Sequence, residues 1–209
     1  MKKLALLITA VLIFAVMVTG CKKKAPELSE VNVIKIGVFQ PMTGANASGG
    51  ELEVEGIKLA NELFPEVLGK KIELVIADNK SDKVEAANAA ERLVNKEQVT
   101  AIIGSWGSSL SMAAGPIIKG KVPAVACSAT NPLVTKGNDW YFMVCFLDPF
   151  QGQVMATYAV TKLNAKTACV IQEISNDYSV GLAKFFMDSF IKQPKNEKAI
   201  LAKPFNYNT

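Results

Sequence analysis

Hydroxyl-bearing and small residues gather in three uncharged segments of this 209-residue chain. The first is Gln40-Pro41-Met42-Thr43-Gly44-Ala45-Asn46-Ala47-Ser48-Gly49-Gly50. The second is Gly104-Ser105-Trp106-Gly107-Ser108-Ser109, and the third is Cys127-Ser128-Ala129-Thr130-Asn131-Pro132. Such segments offer backbone N–H groups and hydroxyls to a small polar ligand. The second one opens a helix, and a helix start favours an anion of about one charge through its unpaired N–H groups and its dipole. Ser108 and Ser109 stand at that start with two readings: they hold a ligand, or they cap their own helix. Three such loops in one chain favour a ligand cleft. Trp106 reads either as a wall of that cleft or as a packed aromatic.

Catalytic chemistry has little support. The chain has no His, which removes a Ser-His-Asp triad, a Cys-His pair and His-ligated zinc. Gly115 to Lys121 has P-loop spacing, but Val122 stands where magnesium needs Ser or Thr, and the stretch follows a helix instead of a strand. No Gly-rich dinucleotide fingerprint follows the first strand, and no G-x-S-x-G elbow is present. Asp78 to Asp82 lacks the Gly and Glu of a calcium loop, so its carboxylates read as a turn and a helix cap. The expectation is a binding protein, not an enzyme, without a cofactor or metal. A nucleic-acid partner also has little support, and none is expected. Of 23 basic residues, five lie in the first 24 positions, leaving 18 against 19 acidic residues elsewhere, and Arg92 is the single Arg.

The elements that must carry these loops alternate. Val33–Phe39, Lys71–Ala77, Val99–Gly104, Val122–Ala126 and Tyr141–Phe146 are apolar, strand-like runs. Between them, helical spacing appears over Gly49–Phe64, after Asp82 and over Ser108–Ile118. Asp82 with Glu85 three residues on has capping-box spacing. A helix from Phe150 to Leu163, a strand from Ala168 to Ile174, a helix from Val180 to Ile191 and a strand over Ala199–Ala202 follow. Strands alternating with helices predict βαβ units and a parallel sheet covered on both faces. The three loops then fall at carboxyl ends of strands, where doubly wound sheets bind ligands. The organisation changes near Cys145–Pro149, which predicts one lobe over 33–146 and a partial second lobe over 147–209. Cys127, Cys145 and Cys169 match no zinc spacing and read as small buried residues. A Cys145–Cys169 bridge is left open by the sequence.

Lys2 and Lys3, an apolar stretch from Leu4 to Val18 and small residues after it make residues 1–20 a secretory signal, too short for a spanning helix of about 20 apolar residues. Val18-Thr19-Gly20-Cys21 resembles a bacterial lipoprotein lipobox, which implies a lipid on Cys21. An ordinary signal with a chance Cys is the alternative. Residues 21–32 then form a tether. The implied location is the extracytoplasmic face of a membrane, held there by the lipid anchor.

Four motifs in order, I-G-V-F-Q-P-M-T-G, I-I-G-S-W-G-S-S-L-S, V-A-C-S-A-T-N-P and V-C-F-L-D-P-F-Q-G, resemble the type I periplasmic binding proteins. More narrowly, they are similar to branched-chain amino-acid-type substrate-binding lipoproteins of ABC importers, from about Val33 to Ala183. The resemblance implies an α/β fold of two lobes, each a parallel sheet flanked by helices, that close on a ligand. It implies that Ser108, Ser128, Ala129 and Thr130 grip the carboxylate and amine of an amino acid. It puts Tyr178 on the second-lobe side, and it implies an ABC permease as partner. A ligand-sensing receptor module of the same fold is the alternative. Some relatives carry an aromatic over the ligand where this chain has Ala47-Ser48-Gly49-Gly50, and relatives vary at Ser128. Relatives also continue further, with more second-lobe strands, an acidic residue for the ligand amine and a return into the first lobe. The expectation is therefore a fragment or a truncated product with an incomplete second lobe.

Overall fold

The computed structural model describes residues 33–194 and 199–208. Its central element is β1 (Val33–Gln40), whose β-branched Val33, Ile34, Ile36 and Val38 favour extended backbone. β2 (Glu66–Val67) and β3 (Lys70–Asp78) form a short antiparallel hairpin, outside the expected pattern. β3 runs parallel to β1 along its whole length, from Val33 opposite Lys71 to Gln40 opposite Asp78. β4 (Ala101–Ile103) is parallel on the other edge of β1, and β5 (Ala124–Ala126) and β6 (Tyr141–Met143) continue the sheet in the same direction. The order is β2-β3-β1-β4-β5-β6. Chain order reverses across β1 and β4, which makes their carboxyl ends the switch point where such sheets open a crevice.

Three helices cover the sheet. α1 spans Ala47–Leu63, α2 spans Lys83–Glu91 and α3 spans Ser108–Ile118. The Asp82 carboxylate accepts from the N–H groups of Val84 and Glu85 and caps α2 as expected. α2 runs on into a π-helical segment, Arg92–Lys96. Ala86, Ala89, Ala90 and Leu93 pack with Leu110, Ala114 and Ile118 of α3 against Phe39, Ala77, Ile102, Ala124, Ala126 and Tyr141. This is the main core. The small alanines let α2 approach the sheet and α3 closely. The opposite sheet face is covered by α1, and there the packing is open. Ile36, Ile72, Leu74 and Ile103 face Ile57, Ala60 and Phe64 across a cavity of about 550 Å³.

Beyond β6 come α4 (Asp148–Thr161) and α5 (Asp177–Ile191), packed on each other through Ala156, Val160 and Phe190. The Phe186 and Phe190 rings stack at 5.6 Å. The side-chain Oδ1 of Asn176 caps α5 by accepting from the N–H groups of Tyr178 and Ser179. The single strand expected over Ala168–Ile174 is instead two. β7 (Thr167–Ala168) pairs with β9 (Ile200–Leu201), and β8 (Ile171–Glu173) pairs with β10 (Phe205–Tyr207), both in parallel. The chain changes partner at Cys169 and Val170, so an unbroken apolar run carries a break. The cysteines also differ from expectation. Cys127, Cys145 and Cys169 are free thiols, so no Cys145–Cys169 bridge forms. None is fully buried, and Cys169 is exposed. The described fold is α/β, with mostly parallel sheets flanked by five helices.

Candidate functional site

The three hydroxyl-rich loops converge at the carboxyl ends of β1, β4 and β5. Gln40 ends β1 and is fully buried. Its side-chain Oε1 accepts from the Trp106 N–H at 2.6 Å, and its Nε2 donates to Glu53 Oε2 at 2.6 Å. Ser128 Oγ donates to the other Glu53 oxygen. Glu53, on α1, therefore joins the first and third loops, and Gln40 extends that link to the second. Burial raises its pKa, and the hydrogen bonds from Ser128 and Gln40 offset only part of that rise.

Ser108 is buried at the first position of α3. Its Oγ accepts from the Thr130 N–H at 3.3 Å and from the Asn131 N–H at 3.2 Å. The hydroxyl thus holds the third loop against the second. It does not cap its own helix, and neither does Ser109: the N-cap residue of α3 is Gly107, with no side-chain cap. The uncapped helix start beside Thr130 is the anion-favouring feature of the site. Ala129 is buried, and its carbonyl accepts from Cys145 Sγ at 3.0 Å.

Trp106 is positioned by a missing side chain. A Cβ built on Gly49 would lie 2.4 Å from Trp106 Cε2 and 2.5 Å from Nε1. The indole therefore rests on the bare backbone of Gly49 at the start of α1. It occupies, from the second loop, the space that a side chain on the first loop would take. The first loop itself is pinned by Asp78, whose Oδ1 accepts from the N–H groups of Met42, Thr43 and Lys80 and whose Oδ2 accepts from Thr43 Oγ1. Slight burial raises the Asp78 pKa, and these hydrogen bonds overcome that effect and lower it.

α5 closes one side of the site. The Asp177 N–H donates to Ser109 Oγ at 2.8 Å, and Asn131 Nδ2 donates to the Asp177 carbonyl at 3.0 Å. The Asp177 carboxylate pairs with Lys83 Nζ at 2.8 Å. Burial alone would raise the Asp177 pKa, but Lys83 and Ser109 outweigh it and lower the value. Tyr178, the next residue, is half-buried, and its hydroxyl accepts from Gln151 Nε2 at 3.4 Å. α5 packs so tightly here that a Cβ on Gly181 would lie 2.6 Å from Asn131 Nδ2.

The structure thus brings Trp106, Ser108, Ser128, Ala129 and Thr130 together at one end of the sheet, with Tyr178 on the helix that borders them. Cys21 lies outside the described residues. Sequence reading placed Gln40 and Asn131 in the candidate loops without giving them a role, and it missed Glu53 and Asp177. One signal was available: Glu53 falls in the helical register of Gly50, Ile57 and Ala60, so a carboxylate interrupts the inward stripe of α1. Gln40, Asn131 and Asp177 carry no such mark, because their partners come from distant parts of the chain.

The periplasmic binding protein family profile matches residues 33–190. An amino acid binding protein of Pseudomonas aeruginosa is 36% identical over 155 residues, covering 72% of this chain and 41% of that protein. A leucine binding protein of Thermotoga maritima superposes with a TM-score of 0.79 at 44% identity, covering 84% of this chain and 49% of that one. A branched-chain amino acid transporter substrate binding protein of Streptococcus pneumoniae, solved with isoleucine, gives 0.76 at 33% identity, covering 85% and 50%. The chain spans about half the length of these proteins or less.

Proposed function

The chain belongs to the periplasmic binding protein family, and from that premise we propose that it captures an aliphatic amino acid of the branched-chain type for an ABC importer. The observation that carries this reading is the meeting of the uncapped α3 start with Ser108, Thr130 and Trp106 at the switch point of the sheet. The helix start and the hydroxyls of Ser108 and Thr130 suit the ligand's carboxylate. Ser128 and the Ala129 carbonyl lie on the same loop, and the Trp106 indole supplies an apolar wall for the side chain. Residues 33–146 act as the first lobe and residues from 147 onward as part of the second, which carries Tyr178. Ligand binding stabilises the closed arrangement of the two lobes by its differential affinity for that state. The proposed route to the permease is a lipid on Cys21, with residues 21–32 as the tether after removal of residues 1–20.

Isothermal titration of the protein with a panel of L-amino acids tests the binding claim. Saturable heat with leucine, isoleucine or valine is expected, and heat with none of the panel rejects it. The intact mass of protein extracted from its native membrane tests the anchor. An acyl increment on a chain beginning at Cys21 is expected, and an unmodified Cys21 contradicts it.

A further inference from the structure

A row of hydrogen bonds beside the proposed ligand loops has its direction fixed from one end. The Trp106 backbone N–H only donates, so the Gln40 side chain must turn Oε1 toward it, and it does so at 2.6 Å. The Gln40 amide nitrogen, which also only donates, then faces α1, where Glu53 Oε2 accepts from it at 2.6 Å. Gln40 is fully buried, so it has no water to turn to instead. An ionised Glu53 has no proton to give, so its other oxygen must accept from Ser128 Oγ, and it does. Ser128 itself is exposed. With its proton held inward by Glu53, its hydroxyl presents lone pairs to the outside. No cation holds Glu53 ionised: burial raises its pKa, and the hydrogen bonds from Ser128 and Gln40 are the effects that lower it.

We propose that Glu53 is a positioning residue for ligand binding: it orients the Ser128 hydroxyl so that lone pairs, and not a proton, meet a hydrogen-bond donor on the ligand. The inference rests on the reading of the chain as an amino-acid binding protein. It gives a carboxylate on α1 a role exerted wholly through Ser128. Glu53→Gln reverses this one bond and keeps the shape of the side chain. The single oxygen of the new amide must meet Gln40, because Trp106 holds Gln40 in place. Its N–H then points at Ser128, which accepts it and turns its own proton outward. Protonation of Glu53 does the same to the wild type. The titratable groups near Glu53 are Cys127 at the end of β5, Tyr141 on β6 and Cys145 just after it. Burial raises all three, Cys127 to about 11, so they keep their protons at neutral pH and below. Asp148 acts on Cys145 and is common to wild type and variant, so the difference between the two reports Glu53.

The test is isothermal titration with L-leucine of the wild type, Glu53→Gln, Ser128→Ala and the double variant. Glu53→Gln is expected to bind about tenfold more weakly at neutral pH, the scale of one hydrogen bond to a charged group. In the Ser128→Ala background the same change is expected to cost less than about twofold, because the residue it acts through is gone. Between about pH 7 and about pH 5 the wild-type affinity is expected to fall toward that of Glu53→Gln, and the variant's to fall less. A Glu53→Gln protein with wild-type affinity and pH profile overturns the assignment. So does an equal loss in both backgrounds, which marks a merely structural carboxylate. Either result leaves the amino-acid-binding reading intact, whereas a wild type that binds none of leucine, isoleucine and valine overturns both. If a variant does not fold or binds too weakly to titrate, the Glu53 carboxyl ¹³C resonance of the wild type decides. Acid weakens leucine binding in this account, so by reciprocity leucine lowers the Glu53 pKa. A Glu53 titration that leucine leaves unmoved overturns the assignment.

Discussion

Ser108→Ala separates a hydroxyl that holds two loops together from one that merely begins a helix. Ser108 Oγ accepts from two backbone N–H groups, those of Thr130 and Asn131, and all three residues are buried. Alanine removes the acceptor and leaves both donors in a dry site. A buried donor left without its partner costs about 1–3 kcal/mol. The two bonds, at 3.3 and 3.2 Å, are longer than the usual mode. That places each near the low end, for about 2 kcal/mol together. Alanine returns up to about 0.5 kcal/mol through its better helix propensity. The net expectation is a loss of about 1.5 kcal/mol, or about 3–6 °C in Tm for a chain of this size. Urea unfolding of the wild type and variant at neutral pH measures it, with the slopes compared to check that the unfolded reference is unchanged. A loss below about 0.5 kcal/mol at equal slope would refute the claim that Ser108 bears both N–H groups, since that is the range of ordinary surface substitutions.

Two further outcomes follow from the same geometry. Gly49→Ala improves helix propensity by about 1 kcal/mol in an open position, but here its Cβ would fall 2.4 Å from Trp106 Cε2. Net destabilisation is expected with a red shift of Trp106 emission, read in a Trp140→Phe background, and stabilisation with an unmoved spectrum would count against the indole's placement. Lys83→Ala should raise the Asp177 pKa toward the ordinary carboxylate range, because the pair with Lys83 is one of the effects that lower it. A carboxylate whose folded pKa is lowered stabilises above its unfolded pKa and loses that contribution as pH falls through the folded value. Acid should therefore weaken the hold of Asp177 on Lys83, and in the variant this pH dependence should shrink. Both side chains are nearly half exposed, so the pair is worth about 0–1 kcal/mol. A carboxyl ¹³C titration of Asp177 that is identical in wild type and variant would contradict the pairing.

Much of the architecture is legible in the sequence because it rests on local chemistry. The β-branched run of β1, the alanines of α2 and the Asp82 cap each declare their element through residue type and period. The β2–β3 hairpin is not legible. Its turn places Leu68 and Gly69 at φ +54 and +71, and leucine in that first position carries none of the Asn-Gly or Asp-Gly signal that normally marks such a turn. The break between β7 and β8 is hidden because an apolar run does not record a change of partner. The crevice is legible as three hydroxyl-rich loops, since small residues and serines at strand ends have a direct chemical reading. Its wiring is not. Gln40, Glu53 and Asn131 act through partners many residues away, and only the folded sheet brings those partners into reach. Trp106 shows the same limit: the residue that seats it is a glycine, visible in the sequence only as an absence.

The central claim is that an amino acid binds where α3 begins, among Ser108, Thr130 and Trp106. A ¹H–¹⁵N correlation spectrum of the protein, titrated with L-leucine, measures it most directly. The account predicts saturable shifts at Ser108, at Ser128 to Asn131 and at the Trp106 indole N–H, with smaller ones at Tyr178. Saturable shifts confined to residues away from these loops, or no shifts at all, would contradict it.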